Sequence, residues 1–441
     1  MGLKKKTCII YNASQLLTLA GSPQRGASLG DLGIIENGAV VVDGDTIQEV
    51  GESKALLESY PQAVRFDAQG HVVMPGFIDP HTHMVWAGDR AQEFEMRRLG
   101  KSYLEILASG GGILSTVKAT RSASLQELIT QTRSRTQAAF AYGTTTAEVK
   151  TGYGLNWETE LKQLRAILAL NQEGPLELLP TFLGAHAVPP EFKDRPNAYV
   201  DLICNNMIPA LHSWWTSHKS DETLPFVDVF CEKGVFNLSQ TRRILQTARD
   251  FGFPLKIHVD EFENLGGASL AAELCATSAD HLVKTSMNDI RALADSDMVA
   301  VSLPGTPFGL NEAEYTPGNE ILAANGILAL ATDTNPGTAW CESMQFILAL
   351  ACRKMGLTPA QAIAAGTINA AAALNREDDI GSIEMGKQAD LLILNVDDYR
   401  HLGYRFGTNL VAYVIKKGRF FCLDSQCPTS FTSPVKRYHD S

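Results

Sequence analysis

Between about residues 74 and 376 the chain alternates short apolar runs with longer amphipathic stretches, a pattern that predicts repeated βα units around a parallel sheet. Eight strand candidates can be counted, at residues 76–83, 145–150, 177–186, 226–232, 254–258, 278–282, 298–303 and 327–333. Helical periodicity fills the gaps, for example at residues 125–141, 158–171 and 240–251. Eight strands so separated fit a closed (β/α)8 barrel better than the alternative, an open doubly wound sheet.

The two ends read differently. Ala39-Val40-Val41-Val42 and Thr46-Ile47-Gln48-Glu49-Val50 are separated by Asp-Gly and preceded by Asn-Gly, which are hairpin signals. Residues 389–394 and 411–419 have the same strand-then-turn character. Two β-rich ends flanking one long middle predict that the termini meet in a small β-sandwich domain, residues 1–73 with 377–441, beside a catalytic barrel of residues 74–376. A chain of 441 residues has room for both.

Charge and composition exclude several partners. A formal net charge of −11 argues against binding to nucleic acid or to anionic membrane surfaces. The short basic run Lys4 to Lys6 reads as a solvated tail, and the residues after it lack the continuous apolar core of an export signal. Lys6 also stands where a myristoylation signal needs Ser or Thr. No window reaches the length and apolarity of a membrane span, so a cytoplasmic protein without membrane or nucleic-acid partners is expected. The eight cysteines lack the tight pairing of a disulfide framework or zinc ribbon. Cys422 and Cys427, the closest pair, are read as structural. A homodimer is the expected assembly, dimers being the commonest oligomers of soluble proteins.

In a barrel of this kind chemistry gathers at the C-terminal ends of the strands, and reactive residues fall there repeatedly. The first candidate strand ends in His81-Thr82-His83, the fifth in His258, the sixth near His281 and the eighth in Asp333. Side chains two apart on a strand share a face, so His81 and His83 would both project into the mouth. His-x-His alone is common and weak. Joined by a third imidazole and a carboxylate, it predicts a site for a borderline cation such as Zn or Fe(II). Glu261, three residues after His258, is placed to move protons, although Asp260 and Glu263 are equally acidic neighbours. His281 follows Asp280, and both could line the mouth.

The run Pro75-Gly76-Phe77-Ile78-Asp79-Pro80-His81-Thr82-His83 resembles the opening of the amidohydrolase superfamily. Further stretches are similar to the imidazolonepropionase family of histidine degradation. They are Ala87-Gly88-Asp89-Arg90, Gly110-Gly111-Gly112-Ile113, Glu148-Val149-Lys150-Thr151-Gly152-Tyr153-Gly154-Leu155, Gly184-Ala185-His186-Ala187-Val188-Pro189 and Thr332-Asp333-Thr334-Asn335-Pro336-Gly337-Thr338. The similarity extends over nearly the whole chain, to residues 381–390. Thr338 stands where Ser is frequent and Val259 where Ala is frequent, and both keep the local character.

The resemblance implies one Zn or Fe ion per subunit, bound by His81, His83, His258 and Asp333, with Glu261 and His281 catalytic. It implies substrate contacts from Arg90, Tyr103, Tyr153, His186, Asn335, Gly337 and Thr338. The implied reaction opens the cyclic amide C–N bond of a small molecule, 4-imidazolone-5-propanoate, giving N-formimino-L-glutamate. An Arg fork and a Tyr hydroxyl suit its carboxylate, and His186 can hydrogen-bond the ring. On the residues alone, Arg90 reads equally as a surface cation, Tyr103 and Tyr153 as packing residues, and Asn335 and Gly337 as turn residues. Other amidohydrolases bridge two metals with a carboxylated lysine on the fourth strand. Lys150 ends the second, so one metal is expected. A deaminase of an amino-heterocycle would use the same metal site without a carboxylate-binding Arg, and a non-catalytic barrel scaffold would be free to lose the ligands.

Overall fold

Strands β1 (Cys8–Leu17), β2 (Ile34–Asp43), β3 (Thr46–Glu52), β4 (Val64–Asp67) and β5 (Val73–Pro75) come from the N-terminal end of the chain. The middle supplies β6 (Phe77–Asp79), β7 (Thr144–Lys150), β8 (Glu177–Ala185), β9 (Phe226–Cys231), β10 (Lys256–Val259), β11 (Ser278–His281), β12 (Val299–Ser302) and β13 (Ile327–Leu330). The C-terminal end adds β14 (Leu391–Leu394), β15 (Val411–Lys416), β16 (Arg419–Cys422) and β17 (Lys436–Arg437). These elements are those of a computed structural model, which describes residues 7–101, 105, 111–219, 222–422 and 436–437.

β6 to β13 pair side by side in chain order, all parallel, and form the barrel. Their side chains are almost all buried, as a parallel sheet covered by helices on its outside requires. Helices start where side chains satisfy their first amide groups. Ser124 and Glu127 form a capping box before helix Leu125–Ala141, and Asn237 and Gln240 do so before helix Leu238–Asp250. Asn156 accepts from the Thr159 amide at the start of helix Trp157–Glu173.

The first and last barrel strands are shorter than their apolar runs suggest. β6 stops at Asp79 rather than His83, and β13 at Leu330 rather than Asp333. Beyond these points side-chain and single-bridge contacts replace the ladder. The Asp79 carboxylate accepts from the Thr332 amide at 3.1 Å and from its hydroxyl at 2.6 Å. The Asp333 amide donates to the His81 carbonyl at 3.1 Å, and the His83 amide donates to the Thr334 carbonyl at 2.9 Å. A lone parallel bridge between Thr82 and Thr334 closes the seam. Because Thr82 is held in extended pairing there, His81 and His83 still share a face.

The remaining nine strands form one sheet in the order β17-β16-β15-β14-β5-β1-β2-β3, with β4 on β1. Its core is drawn from both chain ends and includes Ile10, Leu16, Val40, Ile47, Leu391 and Ile415. The sheet bends back on itself. The Ile47 amide donates to the Lys387 carbonyl, the Ala389 amide donates to the Asp45 carbonyl, both at 2.8 Å, and Gly418 packs against Gly44. Cys8, Cys204, Cys231, Cys275, Cys341 and Cys352 are free thiols, while Cys427 and the Lys4–Lys6 run lie outside the described residues. No helix among the described residues is long and apolar enough to cross a membrane.

An ion cluster ties this sheet to the base of the barrel. Lys416 on β15 reaches Asp390 at 2.7 Å and Glu177, the first residue of β8, at 3.0 Å. Arg376 and Lys417 also pair with Glu177, at 3.1 and 3.2 Å. Burial alone would raise the Glu177 carboxyl, but these cations hold it well below the usual carboxylate range. Lys416→Met should therefore lower stability by about 3 kcal/mol, since among the described residues it takes the one ammonium from buried Asp390 and one of three cations from half-buried Glu177. Urea unfolding measures this, and a loss within about 0.5 kcal/mol, the scale of ordinary surface substitutions, would contradict it.

Candidate active site

Three imidazoles converge at the barrel mouth. Nε2 of His83 lies 3.3 Å from Nε2 of His81 and 3.3 Å from Nε2 of His258. Asp333 Oδ1 is 3.5 Å from both His81 Nε2 and His83 Nε2. On their far sides, His81 Nδ1 meets Asp280 Oδ2 at 2.6 Å and His258 Nδ1 meets Asp228 Oδ2 at 3.0 Å. A carboxylate can only accept, so each Nδ1 carries the proton and each facing Nε2 carries a lone pair. Burial, and then neighbouring cations and imidazoles, pushes His81 and His83 well below their ordinary range, which keeps them neutral.

Lone pairs packed this closely repel unless a cation lies between them. Three imidazoles and one carboxylate fit a transition ion of borderline character, and the donor atoms within each of two sets, His81 with His83 and His258, and His81 with His281 and Asp333, lie within 4.8 Å of one another. The Thr306 hydroxyl donates to Asp333 Oδ2 and leaves Oδ1 turned to the imidazoles. Burial pushes the Asp333 carboxyl up to about 6. Asp333 and His281 both hold left-handed backbone, with φ of 53° and 80°. That conformation costs roughly 1 to 3 kcal/mol in a non-glycine residue and is concentrated at functional sites.

The three acids after β10 separate clearly. Asp260 is engaged by the Asn264 amide at 3.2 Å, and exposed Glu263 pairs with Lys233 at 2.6 Å. Glu261 is buried, its Oε2 lying 3.7 Å from His281 Nε2. Burial first, then the charges of Asp333, Glu232 and Glu312, raises its carboxyl well above the usual range. Such a group holds a proton readily and sits beside the cation site.

The other expected contacts ring this centre. His186 stacks on His83 with centroids 4.8 Å apart and planes 15° apart, and its Nδ1 lies 3.1 Å from the Gly152 carbonyl oxygen. Tyr153 is buried 5.4 Å from the His186 ring. Asn335 accepts from the amides of Gly337 and Thr338, both at 2.8 Å, and donates to the Asp333 carbonyl at 2.7 Å, so it shapes the loop after β13. A Cβ at Gly337 would lie 2.2 Å from Arg90 Nη1 and would displace the guanidinium. Arg90 and Gly337 share a cavity of about 490 Å³ with Arg97, Thr338 and the exposed rings of Phe94 and Trp340. Tyr103 lies outside the described residues.

Several residues of the site carry weaker signals in the sequence. Glu93 accepts from Arg90 Nε at 2.9 Å and from Nη2 at 2.7 Å, fixing the guanidinium fork. Arg97 donates to the Gly337 carbonyl at 2.7 Å, and nothing in its exposed-looking helix marks it out. Asp228 is a lone acid inside the apolar strand β9, and Glu148 and Lys150 are in-phase charges in β7. A charge inside an otherwise buried strand, alone in β9 or paired two apart in β7, is the cue that marks these residues.

Residues 72–421 match the amidohydrolase family, and residues 38–63 match the imidazolonepropionase-like composite domain of bacteria. A curated imidazolonepropionase of Herpetosiphon aurantiacus is 51% identical over 411 residues, 93% of this chain and 96% of that one. That of Chloroflexus aggregans is 46% identical over 415 residues, 93% of this chain and 97% of that one. Among solved structures, a zinc-bound adenosine deaminase from Xanthomonas campestris superposes with a TM-score of 0.67 at 18% identity, covering 94% of this chain and 92% of its own. A 5-methylcytosine deaminase from Klebsiella pneumoniae gives 0.68 at 17% identity, covering 93% and 97%. These structural likenesses show the fold, and the full-length sequence similarity goes further: the chain belongs to the amidohydrolase family and, within it, to the imidazolonepropionases.

Proposed function

We propose that the chain hydrolyses 4-imidazolone-5-propanoate to N-formimino-L-glutamate, with His81, His83, His258 and Asp333 holding one Zn or Fe ion per subunit. The observation that carries this is the meeting of three imidazoles and Asp333 with buried Glu261, in a chain 51% identical to a curated imidazolonepropionase. When bound, the ion supplies a more acidic water and polarises the ring carbonyl. Residues 74–376 form the catalytic unit in this assignment, and 1–73 with 377–441 the β-rich unit. A cytoplasmic homodimer is the expected working form.

Glu261 takes the proton of the attacking water as its oxygen bonds to the carbonyl carbon. The ring C–N bond then breaks, Glu261 returns the proton to the departing nitrogen, and the new carboxyl group gives up the water's second proton to solvent to become a carboxylate. His281, beside Glu261, stabilises the charge growing on the carbonyl oxygen. Arg90 and Tyr153 grip the propionate carboxylate, with Tyr103 joining them by family likeness, and His186 holds the ring. Asn335, Gly337 and Thr338 give the loop the shape that lets Arg90 approach.

Glu261→Gln should leave metal content unchanged while lowering kcat at least about 100-fold, the scale of general acid–base catalysis. Metal analysis and steady-state kinetics check it, and a nearly active variant contradicts the role. A deaminase of a neutral amino-heterocycle is the competing function, sharing the fold but having no use for a carboxylate-binding Arg. Arg90→Ala should raise KM for the acidic substrate about tenfold or more with a smaller change in kcat. Faster turnover of a neutral amino-heterocycle than of the acid would favour the deaminase instead.

A further inference from the structure

Below the imidazoles the barrel interior holds a charged layer that the reaction above does not use. Glu148, Lys150, Asp228, Lys256 and Asp280 come from four strands, and each is no more than 1% exposed. Glu148 and Lys150 are two apart on β7 and so point inward together, as Lys256 and His258 do on β10. Asp280 sits opposite His258 in the β10–β11 register. Lys256 donates to the main-chain carbonyls of Pro80 at 2.7 Å and Ala373 at 3.3 Å and lies 3.6 Å from Glu148 Oε1, without contacting either carboxylate that supports an imidazole.

Lys150 is placed differently. Its ammonium lies 2.7 Å from Glu148 Oε1, 2.7 Å from Asp228 Oδ2 and 3.8 Å from Asp280 Oδ2. Asp228 and Asp280 are the two carboxylates that accept the Nδ1 protons of His258 and His81. One cation thus joins the supports of two imidazoles that come from different strands. Stability does not explain the arrangement, because a buried ion cluster is often no more stabilising than apolar side chains of the same volume. Orientation does. Asp228 is held by Lys150 and by His258, and Asp280 is held by His81, the Ser278 hydroxyl at 2.6 Å and the charges of Lys256 and Lys150. We infer that Lys150 is a positioning residue, an ammonium clamp that holds Asp228 and Asp280 so that His258 and His81 present their Nε2 atoms to the metal.

This inference rests on the metal assignment, and the experiment separates the two. Wild-type protein, Lys150→Met, Lys150→Gln and the remote buried-charge variant Lys416→Met are stripped and titrated with Co(II) against a competing chelator. Folding is followed by circular dichroism and coordination by the visible Co(II) spectrum. Lys150→Met should bind Co(II) at least about tenfold more weakly with an altered spectrum, the scale seen when supports of metal-ligating His are removed. Lys150→Gln, which keeps a donor without the charge, should fall between it and wild type. Lys416→Met should lose thermal stability yet keep the wild-type Co(II) affinity within twofold. Should Lys150→Met fail to fold, Lys150→Gln carries the comparison by the same criteria. A folded Lys150 variant with wild-type affinity and spectrum overturns the clamp, as does an equal loss of affinity in Lys416→Met. Wild-type protein that binds no Co(II) would overturn the metal assignment itself.

Discussion

Two hydrogen bonds decide what the barrel mouth can do: His81 Nδ1 to Asp280 and His258 Nδ1 to Asp228. They choose the tautomer of each imidazole and send the lone pair of Nε2 toward His83 and Asp333. Without them the same residues would be buried polar groups in a crowded pocket. With them, the site is a ready set of metal donors. Because both carboxylates lie out of contact with water, their own partners matter as much, and that is why the charged layer beneath bears on the site above.

The barrel provides the rest by closing at the point where the chemistry lies. The contacts that complete its seam are main-chain bonds of His81, His83, Asp333 and Thr334, together with Asp79 on Thr332. Closure and ligand placement are the same event, so displacing the loop after β13 would open the barrel and misplace a ligand together. The same loop carries Asn335 and Gly337, which couple the metal side to the Arg90 side. At the opposite end the Lys416, Asp390 and Glu177 cluster carries charge without facing the mouth, in keeping with a division between a stabilising base and a chemical rim.

Much of this was legible in the residues. Short apolar runs between amphipathic helices announced the barrel, because a parallel strand buried on both faces has no polar alternation to show. Helix 125–141 was readable to its ends because Ser124 and Glu127 form a local cap. The early ends of β6 and β13 were not, since they depend on Asp79 meeting Thr332 across a separation of 253 residues. Glu261 could not be told from Asp260 and Glu263 by composition; a left-handed turn at Asp260 and the partners Asn264 and Lys233 separate them. Glu93 and Arg97 were hidden among ordinary helix-surface charges, because only the fold brings Gly112 and Ser115 to Glu93 and the Gly337 carbonyl to Arg97.

The central claim is that this site turns over a cyclic amide through a bound metal. The measurement that addresses it most directly follows freshly prepared 4-imidazolone-5-propanoate by its ultraviolet absorbance, with product formiminoglutamate assayed in parallel. Protein carrying one equivalent of Zn or Fe(II), chelator-stripped protein and reconstituted protein are compared. Turnover that is lost on stripping and regained on reconstitution is the expected result. Metal-replete, folded protein that leaves the substrate unchanged, or stripped protein as active as the loaded form, would contradict it.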